Sequence, residues 1–166
     1  YCYDRRGNVV RKVQSVTSGP TRTVRYAYNL ADRLVTLTYP SGAVVTYTRD
    51  AGGRISGVVA KPTAAAAQVT LVSAVEYLPF GPQGKITFGN GRQLEKLYDQ
   101  NYGIDSVTDS GPSGLALDFS LDDLGNVTGL SEVLNGGATA ARIVEYDPLD
   151  RLTALRNGAS VVQGFE

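Results

Sequence analysis

The stretch EYDPLDRLTAL, residues 145–155, contains a Tyr-Asp pair that is followed, after two variable residues, by Asp, Arg and Leu. The same arrangement occurs upstream in YNLADRLVTL, residues 28–37, and, with Gly at the fifth position, in YDRRGNVV, residues 3–10. A catalytic motif normally occurs once in a chain, whereas a motif that recurs along the chain is typical of a repeat architecture. The stretch therefore predicts a repeated structural unit.

Alignment on the first residue of this motif identifies seven degenerate copies, which begin 25, 21, 28, 21, 23 and 25 residues apart. The copies begin at Tyr3, Tyr28, Arg49, Tyr77, Tyr98, Leu121 and Tyr146. Self-similarity at such an interval is the signature of a repeat protein. We therefore expect residues 1–166 to form one array of about seven repeats, truncated at both ends.

A second turn signal follows most copies of the motif. These signals are TSGP at 17–20, PSG at 40–42, GNG at 89–91, SGPSG at 110–114, NGG at 135–137 and NG at 157–158. Asn-Gly between two strands favours a type I′ hairpin turn, because both residues tolerate positive φ. The third repeat has KPTAAAA instead, which predicts a longer loop at 60–68.

Apolar and polar residues alternate between these turns, as in a half-buried strand. Val35, Leu37 and Tyr39 share one face, and the intervening threonines take the other. No window has the apolar stripe of an amphipathic helix. The expected fold is all-β: antiparallel β-hairpin repeats of roughly fourteen strands, wound into a curved sheet because twist accumulates in so wide a sheet.

The repeated residues have structural roles in this interpretation. The Asp or Asn after Tyr accepts a hydrogen bond from an amide two residues later and nucleates a turn, and the fifth residue takes positive φ. The Arg or Asn that follows begins the next strand or pairs with a neighbouring acid, and Tyr supplies a cross-strand contact with its hydroxyl at an edge or in water. The predicted motif residues are Tyr3, Asp4, Gly7, Tyr28, Asn29, Arg33, Asp50, Gly53, Arg54, Tyr98, Asp99, Asp122, Gly125, Asn126, Tyr146, Asp147 and Arg151.

Composition excludes several classes of active site. The chain has no His and a single Cys, so it lacks a Ser-His-Asp triad, a His ligand and an internal disulfide. Basic and acidic residues are equal at 16 each, which argues against a nucleic-acid partner. No apolar window is long enough to span a membrane. No catalytic residue, metal ligand or cofactor is predicted. A Tyr ladder that stacks on sugars, and a pair of carboxylates in a glycosidase cleft, are the functional alternatives for the repeated residues.

The sequences YDRRGNV, YNLADRL, RDAGGRI, YDPLDRL, LTYPSGAVVTYT and YLPFGPQGKITFGNG resemble the RHS/YD repeats of large bacterial surface proteins and polymorphic toxins, of insecticidal toxin complexes and of teneurins. The resemblance extends over essentially the whole chain. In that family successive hairpins wind into a hollow β-shell around a C-terminal toxin. The resemblance therefore implies that this chain is part of such a shell, and that the motif residues are scaffold positions.

Two functions follow as hypotheses. The first is a non-enzymatic section of an RHS-repeat shell that encapsulates or displays a C-terminal toxin or other polypeptide of a secreted or cell-surface bacterial protein. Its partners are the rest of its own polypeptide, namely the flanking repeats and the enclosed toxin. The alternative is an extracellular carbohydrate-binding or adhesion fibre, whose partner is a glycan or a neighbouring chain. We also expect the chain to associate when it is expressed alone, because terminal strands expose unpaired edges.

Overall fold

The computed structural model describes residues 1–165, which form fifteen β-strands and no helix. The strands are β1 (Cys2–Tyr3), β2 (Val9–Gln14), β3 (Arg22–Tyr28), β4 (Leu34–Thr38), β5 (Val44–Arg49), β6 (Ile55–Lys61), β7 (Val69–Tyr77), β8 (Gln83–Phe88), β9 (Gln93–Tyr98), β10 (Ile104–Asp109), β11 (Leu115–Leu121), β12 (Val127–Leu134), β13 (Ala140–Tyr146), β14 (Leu152–Asn157) and β15 (Ser160–Gly164). Because these residues form no helix, none of them belongs to a helix that could cross a membrane.

The strand order follows the chain, and successive strands pair antiparallel from β1 to β7 and from β9 to β15. This order confirms the predicted all-β class of antiparallel hairpins. The count exceeds the expected fourteen, because the two residues of β1 form a strand of their own beside β2.

Contacts within the chain define two units. Unit 1 consists of Tyr1–Glu76 and Thr87–Gly91, and unit 2 consists of Tyr77–Ile86 and Arg92–Glu166. Unit 1 contains β1 to β6, and unit 2 contains β9 to β15. The loop between β6 and β7 covers residues 62–68, so Ala60 and Lys61, which were expected in this loop, belong to β6.

All seven copies of the motif close their hairpin loop with the same pair of backbone hydrogen bonds. In the first copy the backbone N–H of Asp4 donates to Asn8 O at 2.9 Å, and the N–H of Gly7 donates to Asp4 O at 3.2 Å. The equivalent pairs of backbone hydrogen bonds close the loops at 29–33, 50–54, 78–82, 99–103, 122–126 and 147–151. A type I turn followed by a residue at positive φ gives this geometry, which places a bulge at the start of the next strand.

Positive φ at the fifth motif position completes the turn in six copies. The angles are 88° at Gly7, 55° at Asp32, 78° at Gly53, 63° at Tyr102, 87° at Gly125 and 59° at Asp150. The strand that follows starts one residue later than expected: Val9 rather than Asn8 opens β2, and Leu34 rather than Arg33 opens β4. The residue after the positive φ is therefore the last loop residue.

The three Asn-Gly pairs do not all form type I′ turns. Asn135 and Gly136 both have positive φ, at 56° and 66°, as a type I′ turn requires. In GNG the positive φ of 83° is on Gly91, and in the last pair it is on Gly158, at 58°, because Asn157 is the final residue of β14. The expectation of type I′ turns is therefore right for the first of these pairs and wrong for the other two.

The strands bury little surface. Ala154 is the buried apolar side chain of residues 1–165, at 8% exposure, and Ser106 is the buried polar one, at 9%. The accessible surface is 11108 Å², whereas a compact monomer of this mass exposes about 7,900 Å². Most strand residues are half-buried, since they pack against their cross-strand neighbours without a second layer. Much of the surface of the strands is therefore accessible to solvent.

Candidate functional site

The acidic residue after the motif tyrosine holds the turn through its side chain. Asp122 Oδ1 accepts hydrogen bonds from the backbone N–H of Leu124 at 3.0 Å and of Asn126 at 2.8 Å. A side-chain oxygen accepts the N–H four residues later in six copies, at Asp4, Asn29, Asp50, Asp99, Asp122 and Asp147. Asn29 shows that an amide oxygen serves as well as a carboxylate in this position.

The fourth copy shows what the backbone does without this acceptor. Leu78 occupies the Asp position and has no side-chain oxygen. The loop still closes, because Leu78 N–H donates to Pro82 O at 3.0 Å and Gly81 N–H donates to Leu78 O at 3.3 Å. The backbone bonds therefore define the turn, and the side-chain acceptor reinforces it.

The hydrogen bonds of the turn favour the ionised carboxylate. The side chain of Asn126 and that of Arg151 make the largest contributions that lower the pKa of Asp122 and Asp147, respectively. The Arg54 side chain does the same for the pKa of Asp50. At Asp4 the strongest cause of the lowered pKa is the backbone N–H of Asn8.

In three copies the motif tyrosine links its hairpin to the preceding one. Tyr28 Oη donates to Val9 O at 3.0 Å, across 19 residues of sequence. Tyr98 donates to Gln83 O at 3.2 Å, and Tyr146 donates to Val127 O at 3.1 Å. In each case the acceptor is the seventh residue of the preceding copy, where the bulge interrupts regular strand pairing. The hydroxyl therefore has a backbone partner, whereas the sequence predicted an edge or water.

Arg49 replaces tyrosine in the third copy and makes the same link. One terminal nitrogen donates to Leu34 O at 2.8 Å, which is the seventh residue of the second copy, and the other donates to Gly53 O at 3.0 Å. The Nε atom of Arg49 is buried without a hydrogen-bond partner among residues 1–165. Arginine can therefore replace tyrosine at this position as the donor to the carbonyl group of the preceding copy.

An asparagine in the sixth position connects two successive turns. Asn8 Nδ2 donates to Asp4 Oδ2 in its own loop at 3.1 Å and to Asp32 Oδ1 in the next loop at 2.8 Å. Asn126 repeats this pattern with Asp122 at 3.0 Å and Asp150 at 3.3 Å. We call this arrangement the Asn–Asp bridge. Each motif copy with Gly-Asn at its fifth and sixth positions is followed by a copy with Asp at its fifth position. The bridge explains this Asp, because its carboxylate accepts the hydrogen bond from the preceding asparagine.

A second contact between loops involves a glycine. Arg33 donates from a terminal nitrogen to Gly52 O at 2.9 Å. A Cβ atom on Gly53 would lie 0.8 Å from that nitrogen, so the guanidinium group occupies the space that a side chain would need. Gly53 therefore serves both the positive φ of its own turn and the contact with the preceding one.

The predicted motif residues form one local cluster per loop. Arg54 and Arg151 pair with the acid of their own loop, at 2.8 and 2.6 Å. Tyr3, in the first copy, stacks on Tyr1 with the ring centroids 6.5 Å apart. Alignment of the copies shows Arg49, Asp32 and Asp150 as substitutions at fixed motif positions, but it did not predict their contacts with neighbouring hairpins.

One acidic recess of unit 2 lies beside two of these loops. Asp99, Asp122 and Asp123 line it together with Asn101. Oδ1 of Asp99 and of Asp122 already accepts backbone N–H groups. Residues 1–165 contain no group of three acidic, Cys or His side chains arranged to bind a metal ion. The chemistry of the motif is hydrogen bonding between hairpins.

Comparison with known proteins identifies these hairpins. The family model described as RHS Repeat matches residues 3–44 and 28–63. Residues 3–63 are therefore similar to RHS repeats. The loops at 78–82, 99–103, 122–126 and 147–151 have the backbone bonds of the RHS repeats in residues 3–63, so the repeat geometry extends beyond the matched residues. No curated protein matches the sequence.

Several solved structures match most of the chain in fold. A crystal structure of TcdB2-TccC3 has a TM-score of 0.82 at 15% identity and covers 92% of this chain and 9% of that chain. A form without its hypervariable C-terminal region gives 0.80 at 16% identity, with 92% and 9% coverage. A Tc holotoxin pore of Photorhabdus luminescens gives 0.73 at 18% identity, with 81% and 7% coverage. These matches confirm the predicted fold, and the chain spans less than a tenth of each matched chain.

Proposed function

We propose that this chain is a non-enzymatic structural section of an RHS-repeat shell, built as one array of about seven repeats. The shell encapsulates or displays a C-terminal toxin or other polypeptide of a secreted or cell-surface bacterial protein. The observation that carries the proposal is the hydrogen bond from a motif side chain to the preceding hairpin, which recurs from Tyr28 to Tyr146. Such a link can be repeated over any number of hairpins, as a shell requires.

The role of the motif acids supports a structural function. A glycosidase needs two carboxylates that face each other in a cleft. In this chain the side chains of Arg54, Asn126 and Arg151 are the main cause of the lowered pKa of Asp50, Asp122 and Asp147, and the backbone N–H of Asn8 is the main cause at Asp4. A carboxylate held in this way is a poor general acid at neutral pH.

The partners in this proposal are other parts of the same polypeptide. The exposed surface exceeds that of a compact monomer by about 40%. Flanking repeats would cover the terminal strands, and an enclosed polypeptide would cover one face of the sheet. One matched protein is described as having a hypervariable C-terminal region, which is the position that the proposal assigns to the enclosed polypeptide.

The alternative is a fibre that binds carbohydrate through tyrosine. Its support is the stacked pair of Tyr1 and Tyr3, which are 70% and 60% exposed. The motif tyrosines 28, 98 and 146 count against it, because their hydroxyl groups already donate to backbone carbonyl groups. We therefore prefer the shell.

The test is to purify the native gene product without denaturant, and to measure its intact mass, its terminal sequences and its elution on gel filtration. We expect a chain much longer than 166 residues that retains a C-terminal fragment throughout. A mature product close to this length that polymerises would overturn the shell and favour the fibre. Exposure of the C-terminal fragment to added protease gives a second readout, since an enclosed segment resists cleavage until the shell is denatured.

A further inference from the structure

The charges of the chain are divided unequally between the two units. The net charge of the whole sequence is zero. Unit 1 contains ten Arg and Lys residues and four Asp and Glu residues, a net charge of +6. Unit 2 contains six and twelve, a net charge of −6. A large asymmetry between parts of a chain indicates interaction with an oppositely charged surface.

The positive charge of unit 1 includes two arginines that lie side by side. Arg11 on β2 and Arg25 on β3 are direct cross-strand partners, so their side chains share one face. Like charges placed directly opposite destabilise a strand pair. Both side chains are exposed, and neither forms an ion pair in the described part of the chain, although a terminal nitrogen of Arg11 donates to Cys2 Sγ at 3.2 Å. Val13, 43% exposed, lies on the same face two residues after Arg11, and these three residues form what we call the basic patch.

Unit 2 carries the opposite arrangement. Glu95 on β9 pairs with Thr108, and Asp118 on β11 pairs with Ser106, so all four side chains share a face. Glu95 and Asp118 are exposed and form no ion pair within residues 1–165. Leu97 lies two residues after Glu95 on that face and is 53% exposed. Glu95, Leu97 and Asp118 form the acidic patch.

The two patches match in composition. Each has two unpaired charges and one exposed aliphatic side chain, and their charges are opposite. Specific interfaces combine an apolar centre with charged groups at the rim. We propose that the basic patch of one copy of this chain docks on the acidic patch of a second copy.

The proposal commits to a second copy because the charges of the two units cancel. The like-charge pair on β2 and β3 destabilises those strands when the patch is free, and an acidic partner relieves this repulsion. Because each copy has one patch of each kind, each copy can supply either side of the contact. This association is distinct from pairing of strand edges, since it uses a face of the sheet.

The test exchanges the charges of the patches. R11E/R25E keeps a like-charge pair at the same cross-strand position and reverses its sign. E95K/D118K reverses the acidic patch. Under reducing conditions in ~20 mM salt, we expect each variant alone to self-associate at least about tenfold more weakly than the wild type by sedimentation equilibrium. An equimolar mixture of the two variants should recover the association, because the exchanged patches are again complementary.

Matched controls locate the effect. R5E/K61E changes the charge of unit 1 by the same amount at two exposed residues outside the basic patch, and it should retain most of the association. Circular dichroism checks that each variant is folded, and R11Q/R25Q provides a milder change that should weaken the association partially. The proposal is overturned if the charge-reversed variants associate as strongly as the wild type, if their mixture stays dissociated, or if R5E/K61E loses as much as R11E/R25E. A wild type that remains monomeric at low salt also overturns it.

Discussion

The motif tyrosine stabilises the sheet at the scale of one residue, through its hydroxyl group. The bulge after each loop leaves the carbonyl group of the seventh motif residue outside the regular ladder, and a buried carbonyl without a donor destabilises the fold. Tyr28 supplies the donor to Val9. Phenylalanine would supply the same ring without the hydroxyl group, so a substitution by phenylalanine isolates the contribution of the hydrogen bond.

We therefore expect Tyr28→Phe to lower the free energy of unfolding by about 1 kcal/mol, the net value of one hydrogen bond. Tyr26→Phe is the matched control, because Tyr26 lies on the same strand and face and its hydroxyl has no protein partner among residues 1–165. Urea denaturation of the two variants measures the difference. Equal effects of the two substitutions would contradict the assigned role of the hydroxyl.

Leu121 offers the converse experiment. It is the first residue of the sixth copy and carries no donor for the carbonyl group of Ile104, the seventh residue of the copy before it. Leu121→Tyr should raise the free energy of unfolding by about 0.5–1 kcal/mol, and Leu121→Phe should not. The midpoints of urea unfolding report both. A tyrosine variant no more stable than the phenylalanine variant would contradict the prediction.

The turn carboxylates make stability depend on acid. Hydrogen bonds, chiefly from Asn126, lower the pKa of Asp122 in the folded chain below the ordinary value of 3.8. As pH falls the unfolded chain therefore binds its proton first, so this contribution is complete above the unfolded pKa and is lost as pH falls through the folded pKa. Stability should decrease below about pH 4.5 and level off once both states are protonated.

Asp122→Asn removes the negative charge and keeps a side-chain oxygen that can accept the hydrogen bonds of the turn. Asn29 makes the same backbone contacts in its own copy, so the variant should keep the loop and lose part of the acid dependence. Asp122→Ala should lower stability at neutral pH as well, because it removes the acceptor. Urea midpoints between pH 6 and pH 2 test both variants, and an unchanged pH profile for Asp122→Asn would refute the assignment.

At the scale of the element, successive loops are held together by side chains that cross from one hairpin to the next. The Asn–Asp bridge occurs twice, at Asn8 with Asp32 and at Asn126 with Asp150. Aspartate at positive φ is less favourable than glycine, and its bond to the preceding loop offsets that strain. The sequence of one loop therefore depends on the sequence of the loop before it.

Gly53 provides a prediction for this scale. Gly7→Ala and Gly53→Ala both place a side chain at positive φ, which costs about 1–2 kcal/mol. At Gly7 no atom lies within 4 Å of the new Cβ, whereas at Gly53 the Arg33 guanidinium group occupies that space. Gly53→Ala should therefore cost about 1 kcal/mol more, because Arg33 loses its bond to Gly52.

The double variant Arg33→Ala/Gly53→Ala checks this explanation. Once Arg33 is removed, the two glycine substitutions should have equal effects on the free energy of unfolding. A difference that persists without Arg33 would assign it to the backbone of the third loop. Thermal and urea unfolding of the wild type, Gly7→Ala, Gly53→Ala, Arg33→Ala and the double variant give the comparison.

At the scale of the whole molecule, the exposed surface determines behaviour in solution. Val161 and Val162 on β15 are 53% and 58% exposed, and β15 is the last strand in the sheet order. A terminal strand with apolar side chains and unpaired backbone groups promotes association between sheets. This mode persists in high salt, where the contact between charged patches is screened.

Val162→Lys should reduce association in ~0.5 M salt, because a lysine on an edge strand opposes pairing with another edge. Val16→Lys is the control, since Val16 is 60% exposed but lies in the loop between β2 and β3. Light scattering over a range of protein concentrations measures the effect. A wild-type chain that stays monomeric at every concentration would contradict the expectation of association.

The sequence alone determined the all-β fold class and the approximate length of the repeat. Alternation at period two, Asp and Gly at fixed positions and a recurring tyrosine indicate hairpins, because these are local properties of strands and tight turns. The same local logic misassigned two Asn-Gly turns, where the residue at positive φ depends on where the strand ends. The sequence-based prediction also considered only the net charge of the whole chain, and so overlooked the opposite charges of the two units.

The tertiary structure decided which loops and strands contact one another. The partner of each motif tyrosine, the donor role of Arg49 and the Asn–Asp bridge all join residues about 15–25 positions apart. Their spacing along the chain depends on the length of the intervening hairpin, which varies between copies, so no fixed sequence interval reveals them. Only the pairing of the strands brings these residues within hydrogen-bonding distance.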